Sequence, residues 1–353
     1  MTLLNHWHPT IKSSQLKRKP VLVQLCNEEI VLFRTAKGEI GALKNRCPHR
    51  GMRLSQGWVE KDEIVCPYHA WRYAADGKGV SPSTPKLKPC VSSFSVVERY
   101  EMIWIKSAHS SAEFPDFNSQ DYLYAGVVIQ DIQAPLEVVV DNFSDIEHNP
   151  TTHTYFGYSY ETLTQIESRI ETTDETVQVI NKGAQQPLPW IVEKIFFNVH
   201  SGDQFINDWT TYFSPVYSTF NQFWVNPVTG KPRRIRVKLV VFYVPISDGE
   251  TQVMIFMFAN PISHNQVINK LIFQFLVGPM VRRFVDYELQ KDIDIIENLA
   301  DKQMTLSEMQ LGRYDRVLGE TRKRIDRLYR GQLPELAVES KCRKNVKAKR
   351  YSI

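Results

Sequence analysis

A chain of 353 residues, 42% hydrophobic and 23% charged, is long enough to bury a sizeable core and to hold two domains. Its formal net charge of +4 is too small to argue for a nucleic-acid partner, and most of the excess sits in the last stretch, "KCRKNVKAKRYSI". Five cysteines form an odd, sparse set unlike a disulfide framework, no signal-peptide pattern opens the chain, and the most apolar helical stretch, "LIFQFLVGPMV", is too short to cross a bilayer. A reduced cytoplasmic enzyme with no transmembrane segment is the expectation.

The first hundred residues read as β-rich. "PVLVQL", "EIVLFRT", "EIGALKN", "DEIVCP" and "EMIWIKS" are short apolar or β-branched runs separated by turn residues, and "AADGKG" (74–79) is an Asp-Gly turn. The polar, Pro-containing "SSAEFPDFNSQD" (110–121) reads as a linker. "YLYAGVVIQDIQAP" then predicts a strand, and "LEVVVDNFSDIEHNPTTHT" a helix running into a Pro-marked break. Strands follow in "DWTTYFSP", "STFNQFWV", "RIRVKLVVFYVPI" and "TQVMIFMFAN", and from about residue 264 the chain turns helical. The fold class is therefore α+β: an all-β domain over 1–112, an α+β domain over 113–335, and a basic tail over 336–353.

Two places carry chemistry. In "CPHRGMRLSQGWVEKDEIVCPYHAW" (47–71), Cys47 and His49 are followed after sixteen residues by Cys66 and His69. Ligands one or two residues apart let one tight loop present both to a metal centre, and Pro48 and Pro67 stiffen the two loops. Zinc accepts two cysteines and two histidines, although finger spacings pair like with like. A 2Fe–2S cluster with thiolates on one iron and imidazoles on the other accepts the same set. Cys26 and Cys90 have no histidine at ligand spacing and read as packed small hydrophobes.

The second place is "DNFSDIEHNPTTH" (141–153). His148 and His153 are five apart around Pro150, with Asp145 three residues before His148. Two imidazoles plus a distant carboxylate make the facial triad of non-heme Fe(II), which leaves positions open for O₂ and substrate.

The first stretch resembles the Rieske signature, and with "WHP" (7–9), "VLFRTAKGEIGALKN", "LSQGW" and "ERYEMIWI" it resembles the N-terminal domain of Rieske non-heme iron oxygenases. That resemblance implies that Cys47 and Cys66 bind one iron of the cluster and His49 and His69 the other. Ala70 departs from it, standing where the family usually has glycine. The second stretch is similar to the family's mononuclear-iron motif, with Asn142 also matching, and "QKDIDIIENL" (290–299) is similar to the segment that supplies the third ligand. By that match the ligands are His148, His153 and Asp292, with Asp294 as the rival and Lys291 where an acid is common.

What the resemblance implies goes further. The catalytic domain is expected to be helix-grip-like. Asp145 bridges the partner subunit's His69 to His148, because within one chain the two metal sites lie too far apart, and the chains close into a homotrimer. No nicotinamide or flavin fingerprint is present, so electrons come from NAD(P)H through a separate reductase, with or without a ferredoxin. The compact length resembles the vanillate and dicamba O-demethylase branch, which favours monooxygenation of a small aromatic or alicyclic molecule. A Rieske electron carrier whose second domain lacks iron is the other reading.

The substrate pocket is expected from "YFGYSYETL", "PLPWIVEKIFFNVHSGDQFINDW" and "FNQFWV", with His200 and Asp208 as polar contacts and "LIFQFLVGPMVRRF" as a lid near the mouth. The run Lys231-Pro232-Arg233-Arg234 reads as a solvated turn.

Overall fold

The computed structural model describes residues 3–117, 119–155, 157–193, 199–200 and 202–331. The tail over 336–353, with Cys342, lies outside the described residues. In the first hundred residues three small antiparallel sheets pack together. Val21–Leu25, Glu28–Arg34 and Ile40–Lys44 form one, and His8–Lys12, Met102–Ser107 and Phe94–Arg99 a second. Four short strands between Trp58 and Val80 form the third.

Strand periodicity explains how these sheets divide the interior. Within Glu28–Arg34, Ile30 and Leu32 face a cluster that includes Trp104, while Val31 and Phe33 face the one holding Cys47, Cys66 and Trp71. Successive side chains point to opposite faces, so an unbroken apolar run serves two cores at once.

The second half is built on a seven-stranded antiparallel sheet. Its spatial order is Leu123–Ile132, Glu250–Ala259, Pro232–Ser247, Val216–Val225, Gln204–Phe213, Thr176–Ala184 and Glu167–Thr172. The same alternation gives it two covered faces: Val241 and Tyr243 pack with helical residues, whereas Phe242 and Phe256 pack with Trp104 of the N-terminal half. Leu136–Ser144, Gly278–Glu297 and Arg316–Arg324 are the main helices on the first of these faces. Gly278 lets the long helix approach the sheet, since a Cβ there would meet the Ala125 carbonyl oxygen at 2.7 Å.

Two sequence expectations need correction, and two strands were not foreseen. The stretch over 110–121 is not merely a polar linker, because Phe117 is 2% exposed and packs against Trp104, Phe242 and Phe256. The helix of "LEVVVDNFSDIEHNPTTHT" stops at Ser144; Pro150 lies in the first turn of a second, four-residue helix, Asn149–Thr152. Proline is tolerated there because the first N–H groups of a helix have no partner inside it. Finally, Glu167–Thr172 and Thr176–Ala184 escaped the reading: the first is an edge strand with nearly every side chain in water, so no apolar alternation marks it.

Candidate metal centres

The two Cys-Pro loops are backbone twins. The Cys47 N–H donates to the Met52 carbonyl at 2.8 Å and the Gly51 N–H returns to the Cys47 carbonyl at 2.9 Å. In the second loop the Cys66 N–H donates to the Trp71 carbonyl at 2.8 Å and the Ala70 N–H to the Cys66 carbonyl at 3.1 Å. The fifth residue of each loop is left-handed: Gly51 at φ 75° and Ala70 at φ 55°. This symmetry gives the reason for the glycine that Ala70 replaces, since the left-handed conformation costs a non-glycine residue about 1 kcal/mol. Ala70→Gly is therefore expected to raise unfolding stability by about 1 kcal/mol, read as a shift of the denaturant midpoint with unchanged slope.

The loops segregate their donors. Cys47 and Cys66 are each 1% exposed, whereas His49 is exposed and His69 half-buried. Burial pushes the Cys66 thiol up and the adjoining Cys47 adds to it, against backbone N–H groups of Tyr68 and His69 that favour the thiolate. The His49 and His69 rings meet edge-on with centroids 4.4 Å apart, and Trp71 stacks on His49 at 4.4 Å. The Tyr73 hydroxyl lies 3.2 Å from the Cys47 sulfur. Two sulfurs on the inside and two imidazoles toward the surface fit a two-iron cluster with unlike ends better than a single tetrahedral ion.

At the second site the short helix Asn149–Thr152 sets His148 at its start and His153 at its end. Their Nε2 atoms are 3.2 Å apart, and each lies 3.5 Å from Asp292 Oδ1. Such a triangle suits three ligands of one ion at bond lengths of about 2.0–2.2 Å. Asp292 is 6% exposed and shares the buried face of Gly278–Glu297 with Leu289, Ile293 and Ile296. Asp294 faces solvent and accepts from Gln290 Nε2 at 3.0 Å. Among the described residues, His148, His153 and Asp292 are the group of side chains arranged to hold a metal ion.

A second layer orients these donors. Asn142 Nδ2 donates to Asp292 Oδ1 at 3.2 Å. Asp145 Oδ2 lies 2.9 Å from His148 Nδ1, and its Oδ1 accepts the Glu147 N–H at 2.7 Å. Glu288 Oε2 lies 3.1 Å from His153 Nδ1 and accepts the Thr154 N–H at 3.2 Å. Carboxylates on both Nδ1 atoms fix the protons there and leave both Nε2 lone pairs for a metal. Burial works against charge at His148, yet Asp145 and then Asp292 outweigh it and raise the imidazole. Burial likewise pushes Asp145 and Glu288 up, but the hydrogen bonds and charges of His148 and His153 leave both below the ordinary range. Lys291 Nζ, 3.5 Å from Glu288 Oε2, offsets one of the three carboxylates around the two imidazoles, and the other two call for a cation.

Glu288 was missed from sequence, although it stands one helical turn before Asp292 and so on the same face. Glu288→Gln is expected to weaken Fe(II) binding by about tenfold or more, read by anaerobic Fe(II) titration, with the circular dichroism unchanged.

The triad opens on a cavity of about 360 Å³. Tyr155, Val192, Phe205 and Phe220, from the three aromatic stretches singled out in the sequence, line it together with Met280, Val281 and Phe284 of the long helix. The apolar stretch near 271–284 thus supplies one wall, while Phe275 and Leu276 remain exposed. His200 and Asp208 are not cavity residues. His200 is exposed, and Asp208 projects from the opposite face of its strand to accept from Gln178 Nε2 at 2.8 Å. Its neighbour Asn207 lines the cavity instead. The run from Lys231 is not simply a solvated turn: Arg233 makes two hydrogen bonds, of 2.7 and 2.8 Å, to the carboxylate of Asp203, which is 2% exposed. Cys26 is half-buried beside the Tyr329 hydroxyl, and Cys90 is exposed rather than packed.

A loop pair suited to a two-iron cluster, ahead of a triad suited to one non-heme iron, defines a class of two-centre iron proteins. The comparisons agree: a Rieske [2Fe-2S] domain matches residues 6–98, and a Vanillate O-demethylase oxygenase C-terminal domain matches residues 132–330. The chain belongs to the Rieske non-heme iron terminal oxygenases, in the branch that carries this C-terminal domain. Its cofactors are a Rieske 2Fe–2S cluster and a non-heme iron. The Vanillate O-demethylase oxygenase subunit of Pseudomonas sp. (strain HR199 / DSM 7063) is 28% identical over 158 residues, 42% of this chain and 44% of that protein. The chloroplastic chlorophyllide a oxygenase of Oryza sativa subsp. japonica is 36% identical over 164 residues, 43% of this chain and 29% of that protein. The chain thus spans less than half the length of these curated relatives. A crystal structure of dicamba monooxygenase bound to 3,6 dichlorosalicylic acid superposes with a TM-score of 0.74 at 19% identity, over 93% of this chain and 98% of that one. That likeness establishes the shared fold. No described helix is long and apolar enough to cross a membrane.

Proposed function

We propose that the chain is a terminal oxygenase that hydroxylates or oxidatively demethylates a small organic molecule, as a monooxygenase. The observation that carries the reading is the triangle of His148 Nε2, His153 Nε2 and Asp292 Oδ1 opening on a largely apolar cavity. An electron carrier needs neither. In this reading Cys47, His49, Cys66 and His69 hold the cluster, while His148, His153 and Asp292 hold the iron. Bound there, the cluster supplies electrons one at a time and the iron supplies O₂ activation. The chain's own residues do the rest. Asn142 holds Asp292, Asp145 and Glu288 keep the Nδ1 protons, and the apolar walls keep water from the reacting face.

The domain division at about residue 112, a separate NAD(P)H-dependent reductase with or without a ferredoxin, a cytoplasmic location and a homotrimer belong to the same proposal. Charge supports the assembly. Exposed Arg46 and Arg50 flank the His49 loop, while Arg53 beside them is paired with Glu29. Burial pushes the Glu147 carboxyl up, and the nearby charges of Asp145 and Asp315 add to it, which marks an acidic cluster beside the triad. A cationic cluster tip and an acidic triad rim on the same chain are complementary between copies.

The test is iron and acid-labile sulfide on anaerobically purified chain, with its low-temperature EPR spectrum, followed by incorporation of labelled O₂. About three irons and two sulfides per chain, with a Rieske-type reduced signal, are expected. About two irons and two sulfides, with a second site that added Fe(II) cannot fill, would transfer the chain to the electron carriers.

A further inference from the structure

The strand side of the cavity is apolar except at two positions. Phe205, Phe220, Val237, Leu239, Val241 and Ile255 line it, and among them stand Asn207 and Gln222. These two are direct cross-strand partners on Gln204–Phe213 and Val216–Val225, so their side chains leave the sheet on the same face. Gln222 Nε2 donates to Asn207 Oδ1 at 3.5 Å, the long limit of a hydrogen bond. Among the described residues their amides make no other side-chain hydrogen bond, although Asn207 is only 8% exposed. Each amide offers two N–H donors and two acceptor lone pairs, so the pair presents both kinds of group to the cavity largely unused. Polar groups placed in an apolar wall cost free energy until something satisfies them.

The charge of the cavity narrows what that something is. Asp145, Glu288 and Asp292 line it, and none of its described lining residues is lysine or arginine. A divalent iron offsets two of these three negative charges, and Lys291, outside the lining with its Nζ 3.5 Å from Glu288 Oε2, stands against the third. A carboxylate entering this space would meet no cationic side chain among the described lining residues, and carboxylates already in it.

We propose that Asn207 and Gln222 form the polar subsite for the substrate, and that the substrate is an uncharged, mostly apolar molecule carrying a carbonyl or amide edge rather than a carboxylate. The inference rests on the oxygenase reading and adds its substrate class. A carbonyl accepts from the amide N–H groups, and an adjoining N–H donates to the oxygen left over. The apolar remainder lies against Phe220 and Leu239. At about 360 Å³ the cavity is at the small end of the range for small-molecule sites.

The experiment is calorimetric binding to the full chain, with its iron content measured alongside, of three matched probes: para-methoxybenzamide, para-methoxybenzoate and para-methylanisole. The benzamide is expected to bind at least about tenfold more tightly than the benzoate. Asn207→Leu and Gln222→Leu are each expected to cut benzamide affinity about tenfold while leaving para-methylanisole unchanged. Gln222→Arg is expected to turn the order toward the benzoate. Equal or tighter binding of the benzoate by the unmodified chain, no binding of the benzamide at millimolar concentration, or leucine variants that bind the benzamide undiminished would each overturn the proposal. The order of the unmodified chain does not depend on any variant folding. If instead the oxygenase reading fails, the iron content falls short while the order of the probes stands.

Discussion

Asp292→Ala is expected to empty the mononuclear site and leave the Rieske complement of iron and sulfide whole, whereas Asp294→Ala keeps both. The geometry makes the two outcomes sharp. Asp292 Oδ1 is the third corner of the triangle, 3.5 Å from each histidine Nε2, and Asn142 Nδ2 holds it there at 3.2 Å. Asp294 is turned to water two residues along. Loss of an outer partner of a metal ligand costs about tenfold to hundredfold in affinity, and loss of the ligand itself exceeds that, so the site empties on gel filtration. The variant is not expected to unfold. Asp292 lines the cavity, so the shortened side chain leaves space continuous with it that water can fill. Iron and sulfide analysis of both variants, with the Rieske EPR signal as internal standard, is the measurement. Retention of the second iron in Asp292→Ala with its loss in Asp294→Ala would move the ligand.

How much of this was legible in the sequence depended on whether one local rule decided the matter. The N-terminal strands were legible because their apolar runs are short and broken by turn residues. The two Cys-Pro loops were legible as a pair, but not the reason they match. Only the backbone shows that Gly51 and Ala70 occupy equivalent left-handed positions. Asp292 could be preferred over Asp294 but not settled, because a two-residue step moves a side chain to another face of the helix and only packing against the sheet says which face is inside. Glu288 stands one turn before Asp292 on the same buried face and follows from the same periodicity.

The cavity shows where sequence reading gave out. Its aromatic walls were found because aromatic-rich strands are conspicuous. Its polar contact was sought at His200 and Asp208, whereas Asn207 is the residue that lines the cavity. A strand has period two, so an error of one residue exchanges the cavity for the other face of the sheet. The charged neighbour drew attention, while the uncharged amide was inside. Phe117 makes the same point in the opposite sense. A mostly polar stretch hides an aromatic that joins both halves in one core, and no periodicity announces a single anchoring residue.

Asp145→Asn separates orientation within one chain from a bridge between chains. Both carboxylate oxygens are in use, Oδ1 by the Glu147 N–H and Oδ2 at His148 Nδ1. An amide has one acceptor oxygen. If it keeps that oxygen on the Glu147 N–H, its NH₂ faces His148 and favours the tautomer whose Nε2 carries the proton and cannot bind a metal. If it turns the oxygen to His148, the Glu147 N–H loses its acceptor. Either way Fe(II) affinity is expected to fall by about tenfold to hundredfold, and saturating Fe(II) refills the site. A purely local role ends there. The bridge proposed to the partner subunit's His69 predicts two further losses at saturating Fe(II). Electron transfer from the reduced cluster to the second site slows by about tenfold to hundredfold, because the hydrogen-bonded path between subunits is broken. The reduction potential of the cluster also rises, because a negative charge has left the neighbourhood of an imidazole ligand. None of the ring and charge contacts described for His69 within the chain, with His49, Tyr68 and Arg50, involves Asp145, so a shifted cluster potential in this variant speaks for the bridge between subunits. A potential titration of the variant decides the matter: a shifted midpoint carries the bridge, and an unshifted one at full iron occupancy removes it.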